Sequence, residues 1–185
     1  MRNVIVFLGL ILAGCASPPV NRAADAPLTT VQSVDLDRYA GRWYEIARLP
    51  NGFEKHCEGV TADYSRREDG LLRVVNTCRK GSPSGDVKSA EGRARVVDEK
   101  TNAKLEVSFF GPFWGDYWIV DLTDDYSRSI VGEPSGRYLW ILSRTPTISE
   151  AERADALARI KALGYDSSAL YFTRQPPSPD NPIPE

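Results

Sequence analysis

The chain has 185 residues, enough for one domain with a sizeable core, and an ordinary globular composition, 42% hydrophobic and 26% charged. Its 23 basic and 25 acidic residues nearly balance, which argues against a nucleic-acid partner held through phosphate contacts. Beyond the N-terminus no window approaches the roughly 20 apolar residues that span a bilayer as a helix.

The N-terminus is a separate unit. Met1-Arg2-Asn3 is a short basic region, residues 4–12 are apolar, and Leu12-Ala13-Gly14-Cys15 ends the run with small residues before a cysteine. This order resembles a lipoprotein signal peptide over residues 1–14, with Cys15 as the lipidated residue of the mature chain. The acyl chains would supply membrane affinity at about 0.8 kcal/mol per buried CH₂. Ala16 after the cysteine resembles the pattern of lipoproteins sorted to the outer membrane. Residues 15–33, rich in Pro, Ala, Asn and Thr without an apolar period, are expected to be the lipidated N-terminus and a flexible tether. About 17 tether residues give an r.m.s. span on the order of 23 Å.

Strands follow at short intervals. The first, residues 42–49, alternates Trp43, Glu45 and Ala47 with Tyr44, Ile46 and Arg48 before Pro50 stops it. Trp43 must be covered by something, and Gly41 lets a neighbour come close. Residues 58–65 and 71–77 form a hairpin around Arg67-Glu68-Asp69-Gly70. If Ser65 pairs with Gly70, Cys57 and Cys78 face each other within disulfide reach. Such a bridge is expected in an oxidising compartment. Residues 88–97 put the small Ala90, Gly92, Ala94 and Val96 on one face. Further strands span 103–109, 116–123, 127–131 and 138–144.

Eight strands with short connections and one dry face describe an up-and-down antiparallel sheet, closed into a barrel or folded as a sandwich. Eight strands enclose either packed side chains or one small ligand, and the small residues of the fourth strand favour the ligand. Ser149-Glu150-Ala151-Glu152 matches a capping box opening a helix with a stripe of Ala154, Leu157, Ala158 and Ile160, which Gly164 ends. Residues 169–174 read as a short ninth strand, and residues 177–185 as a disordered tail.

The runs Gly41-Arg42-Trp43-Tyr44-Glu45-Ile46-Ala47, Val107-Ser108-Phe109-Phe110-Gly111-Pro112-Phe113 and Tyr138-Leu139-Trp140-Ile141-Leu142-Ser143-Arg144, with Asp121-Leu122-Thr123-Asp124-Asp125-Tyr126 between strands, resemble the lipocalins. The similarity is closest to bacterial outer-membrane lipocalins, in the apolipoprotein D-like part of the family. It implies an all-β fold over residues 34–176, an eight-stranded antiparallel up-and-down β-barrel with one C-terminal α-helix packed outside and a short ninth strand. It also implies that Gly41, Trp43 and Arg144 close the barrel floor, with Arg144 crossing the Trp43 ring, a contact of around 0.5 to 2 kcal/mol. The cysteine pair is not part of the resemblance and rests on the register alone.

The function implied is a lipid-binding outer-membrane lipoprotein, its barrel facing the periplasm, that stores or transports a fatty acid or lysophospholipid. The expected lining is Val60, Ala62, Tyr64, Ala94, Val96, Leu105, Val107, Phe109, Trp114, Tyr117, Ile119, Tyr138 and Trp140, with Trp114 and Trp140 gripping the chain. No cofactor is expected, and a homodimer stays open. The alternatives are a structural lipoprotein with a filled barrel, and an enzyme. His56 and Cys57 could suggest a nucleophile pair, but neighbours on an extended chain point to opposite faces. Neither His56 nor the group Asp121, Asp124 and Asp125 has metal-ligand spacing. The aspartates suit a turn.

Overall fold

Period-two alternation interrupted by glycine, proline and aspartate turns produces strands that pair in chain order. The computed structural model describes residues 21–23 and 27–177. Its strands are β1 (Gly41–Arg48), β2 (Cys57–Arg66), β3 (Leu72–Lys80), β4 (Val87–Val96), β5 (Lys104–Ser108), β6 (Gly115–Leu122), β7 (Arg128–Gly132) and β8 (Leu139–Ser143). Each is antiparallel to the next, and β1 pairs with both β8 and β2, so the sheet closes into a barrel rather than a sandwich. A short helix, α1 (Leu36–Tyr39), precedes β1, and α2 (Glu150–Ala162) follows β8. The ninth strand, β9 (Tyr171–Phe172), adds to β1 outside the barrel. The signal peptide expected over residues 1–14, the lipidation site Cys15 and the tail beyond residue 177 lie outside the described residues.

The wall is apolar on both faces where it is covered from outside. Within, Trp43, Tyr64, Leu72, Val74, Ala94, Leu105, Tyr117 and Ile119 pack together. Outside, Ile46, Leu49, Val120, Ile130, Leu139 and Ile141 are buried with Ala156 and Ile160 of α2 and with Leu28. Hence every residue of β7 is buried. The capping box of Ser149 and Glu152 forms as expected, but the helix is rotated from the expected stripe. Ala154 and Ala158 face solvent while Ala156 and Ile160 face the sheet. Polar anchors set that rotation: Arg128 donates to the Glu152 carbonyl (2.9 Å) and the Asp155 carboxylate, and the Arg153 guanidinium lies 3.8 Å from the Phe172 ring centre.

Part of the segment expected to be a flexible tether is packed on the barrel. Ala23 N–H donates to the Gly164 carbonyl (2.9 Å), Val31 to Ile119 (3.1 Å) and Val34 to Thr101 (2.7 Å). Leu28 and Val34 are buried. An apolar residue at every third position, Leu28, Val31 and Val34, matches neither a strand nor a helix period, and so reads as unstructured.

Cys57 and Cys78 are bridged, with Cα atoms 5.4 Å apart, but not by the expected register. Ser65 pairs with Arg73 rather than Gly70, and Cys57 stands opposite Lys80. A bulge between Glu58 and Thr61, with Gly59 at φ +55°, shifts the strand so that the cysteines meet diagonally. The bridge closes a 21-residue separation, which in chain-entropy terms contributes about 3 kcal/mol.

One end of the barrel is sealed. Trp43 is fully buried, its indole N–H donating 2.8 Å to the Tyr39 carbonyl, and the Arg144 guanidinium lies 3.8 Å from the ring centre. Arg144 also donates to the carbonyls of Arg38 (2.6 Å), Tyr39 (3.2 Å), Arg42 (2.8 Å) and Tyr126 (3.3 Å). Gly41 beside it sits at φ +92°, a backbone conformation that favours glycine, and a Cβ there would just touch the guanidinium at 3.4 Å. Trp43→Ala is expected to lower the unfolding free energy by about 3 to 5 kcal/mol, measured by urea denaturation at unchanged disulfide status.

Candidate functional site

Above the Trp43 floor a cavity runs to the opposite end of the barrel. Its inner part, about 100 Å³, is walled by Val60, Ala62, Tyr64, Val74, Val107, Phe109, Tyr117, Trp140 and Leu142, with Glu45, Phe53, Glu54 and Asn76. It adjoins an outer part of about 310 Å³ that reaches Thr77, Lys88, Ser89, Ala90 and Phe110. Phe53, Glu54, Val60, Asn76 and Phe109 border both parts, so they make one continuous space that opens at the end away from Trp43.

Tyrosine hydroxyls finish the inner end. Tyr64 donates to the Tyr117 hydroxyl (2.8 Å), which lies 3.0 Å from that of Tyr39; Tyr39 in turn lies 3.2 Å from Ser129 Oγ. Burial raises the pKa of all three tyrosines, so the hydroxyls keep their protons and satisfy one another.

The open end is aromatic and acidic. Tyr138 and Trp140 stack with an interplanar angle of 11°, Phe53 packs on both, and the Trp140 indole N–H donates 3.0 Å to Glu54. Below them a bulge in β1 between Glu45 and Ala47 changes the parity of the strand. Glu45 opposite Leu142 and Arg48 opposite Trp140 then both point inward, and Arg48 donates 2.5 Å to Glu45. Thr173 hydrogen-bonds both, and Arg48 also donates to the carbonyls of Glu54 (3.0 Å) and Cys57 (3.1 Å). Burial, helped by the charge of Glu54 and opposed by Arg48, pushes Glu45 up to about 8. Asn76 Oδ1 is buried in the same wall without a protein hydrogen-bond partner.

Of the thirteen residues expected to line the cavity, Val60, Ala62, Tyr64, Val107, Phe109, Tyr117 and Trp140 do so. Ala94, Val96, Leu105 and Ile119 face inward but belong to the packed core. Tyr138 supports Trp140 at the rim. Trp114 does not enter: its ring lies under the guanidinium groups of Arg93 (5.3 Å) and Arg95 (4.3 Å), on the charged face of β4. Nor does Gly92 leave the free volume expected, because the Phe109 ring occupies the place of its missing side chain, 2.8 Å from an ideal Cβ. Glu45, Phe53, Glu54, Val74, Asn76 and Leu142 were not expected. Leu142 shares a period-two face with Trp140, and Val74 and Asn76 stand opposite Tyr64 and Ala62 on a strand from which no lining residue was expected, whereas Phe53 and Glu54 sit on a loop with no period.

Cys57, being bridged, offers no free thiolate beside His56. Asp121, Asp124 and Asp125 serve structure: Asp121 faces Arg128 (3.7 Å), the Asp124 carbonyl accepts from Arg38 (2.8 Å), and Asp125 accepts from the Ser127 N–H (3.0 Å).

The lipocalin-like domain model matches residues 34–175. Outer membrane lipoprotein Blc of Escherichia coli (strain K12) is 43% identical over 170 residues, covering 91% of this chain and 92% of that protein. The Blc lipoprotein of Vibrio cholerae is 37% identical over 177 residues, covering 95% and 99%. Apolipoprotein D of Rattus norvegicus is 35% identical over 144 residues, covering 73% and 68%. The solved structure of insecticyanin from the tobacco hornworm Manduca sexta superposes with a TM-score of 0.64 over 89% of this chain and 87% of that one, at 22% identity, a likeness of fold.

Because the folded pKa of Glu45 lies above its ordinary 4.5, the native state binds this proton more tightly than the unfolded chain does. The stability it contributes is complete below about pH 4.5 and is lost as pH rises through about 8. Denaturation midpoints measured from pH 5 to 8 are expected to fall, with a slope from this group of at most about 1.4 kcal/mol per pH unit. Glu45→Gln is expected to flatten that fall even if it lowers stability throughout.

Proposed function

The chain belongs to the lipocalin family, and from that premise we propose that it is a lipid-anchored outer-membrane protein whose barrel holds one single-chain lipid. The barrel faces the periplasm and stores or carries the lipid in the cell envelope. The observation that carries this reading is the cavity: apolar walls, a tyrosine floor that stops an acyl chain, and polar groups gathered at the open end. The names of the similar Blc proteins support the outer-membrane placement.

The polar groups favour a lysophospholipid over a free fatty acid. Glu54 and the unpaired Asn76 Oδ1 are acceptors, and Glu54 takes the Trp140 indole N–H beside Phe53. A lysophospholipid brings glycerol hydroxyl and ammonium donors to such groups, whereas a bare carboxylate meets like charge. Lys88, on the wall of the outer part, supplies a cation for the phosphate.

Titrating the purified protein with lysophospholipid is expected to change tryptophan emission saturably, with fatty acid binding more weakly. Val107→Trp, which fills the cavity, is expected to weaken binding by about tenfold or more, roughly 1.4 kcal/mol. No saturable response to either lipid class would sink the proposal. Cys15→Ser is expected to move the protein from the membrane fraction to the soluble periplasmic fraction.

A further inference from the structure

Four loops surround the cavity opening, at residues 49–56, 81–86, 109–114 and 133–138, while the turns at 67–71, 97–103 and 123–127 lie at the Trp43 end. Exposed apolar groups are distributed very unevenly between these ends. Phe53 (64% exposed), Phe110 (78%) and Phe113 (76%) all stand on the loops around the opening, and Val87 stands beside them at the start of β4. At the sealed end only Val97 is comparably exposed among the described residues.

The path of the N-terminal segment points the same way. Asn21 N–H donates to the Gly136 carbonyl (3.2 Å), on a loop at the opening, and the Asn21 carbonyl accepts from Asp166 N–H (2.8 Å). Further on, Val31 is bonded to Ile119 and Val34 to Thr101, whose turn lies at the sealed end, so residues 31–34 lead away from the opening. Cys15 is six residues before Asn21, so even a fully extended chain keeps it within about 20 Å of the opening. Charge discriminates further. The turns at the sealed end carry Glu68, Asp69, Asp98, Glu99, Asp124 and Asp125 against Arg67 and Lys100, which an anionic lipid surface repels.

We propose that the open end of the barrel is a membrane-docking face, on which Phe53, Phe110 and Phe113 enter the interfacial layer of the bilayer that holds Cys15. The cavity then opens onto lipid, and a single-chain lipid passes between bilayer and barrel without crossing water. Phenyl rings on a loop rim suit this layer because they bury apolar area there without carrying charge into it. The proposal rests on the anchored-lipoprotein reading above, and its test separates the two.

The mature lipidated protein is reconstituted in phospholipid vesicles whose acyl chains carry bromine, a contact quencher of tryptophan. Phe110→Trp at the opening is compared with Glu68→Trp at the sealed end, each against the parent protein, and flotation with the vesicles is measured alongside. The expected result is flotation, loss of most of the emission added by Phe110→Trp, and no loss of that added by Glu68→Trp. Flotation with equal loss at both positions, or greater loss at residue 68, overturns the docking face and leaves the anchor standing. Failure of the parent protein to float overturns the anchor and the docking face together.

Discussion

Arg144 over Trp43 is the contact on which the rest of the barrel depends. One guanidinium ties the entrance of β1, helix α1 and the turn after β6 by donating to carbonyls in all three, while its face covers the indole. A planar fork suits this task and an ammonium does not, because several donors must be presented in one plane at once. With the floor fixed there, the tyrosine hydroxyls above it have a rigid base. The cavity that begins above them opens at the opposite end.

The upper half of the barrel is held differently. β1 leaves β2 after four paired residues, Gly41 to Tyr44, and beyond that point the two strands are joined through the C-terminal segment. Thr173 N–H donates to the Ile46 carbonyl (3.0 Å), Gly59 N–H to the Arg174 carbonyl (2.8 Å), and the Gln175 amide to the carbonyls of Glu45 (2.8 Å) and Val60 (3.0 Å). The bulge in β1 belongs to this departure. It places the buried pair of Glu45 and Arg48 against the same segment, where Thr173 completes their hydrogen bonds. A buried pair of this kind is costly to desolvate and is held by its satisfied network more than by attraction alone.

The strand order and the capping box were legible because each depends on local chemistry or simple alternation; the Trp43 floor was legible through the lipocalin resemblance, and the disulfide as a pairing of two cysteines but not in its register, which the bulge shifts. The cavity lining was legible only where alternation persists. Val60, Ala62 and Tyr64 follow it; β1 beyond Glu45 does not, because a single extra residue reverses its parity, brings Arg48 to the Glu45 carboxyl and leaves no mark in composition. Trp114 misled for a related reason: it sits on a loop, outside any period, and two arginines on the outer face of β4 compete for its ring. Glu45 shares a face with Trp43 by spacing, yet a carboxylate is not an obvious cavity wall until Arg48 is placed beside it. The docked N-terminal segment escaped because its contacts are single residues gripping grooves rather than a repeating pattern.

The C-terminal strap also constrains the order in which the molecule can be completed. Gln175 bonds residues 115 and 130 positions earlier, and Arg144 bonds Arg38 across 106. Contacts so distant in the chain are entropically late, since the intervening loop must be closed before they can form. Neighbouring strands can zip together as hairpins, but the upper part of the β1–β2 seam, beyond the Tyr44–Thr61 pair, cannot shut until the last residues of the domain are present. During that interval the cavity wall is the exposed face of an open sheet, and its two unpaired edges are the surfaces through which an unfinished chain would meet another copy of itself.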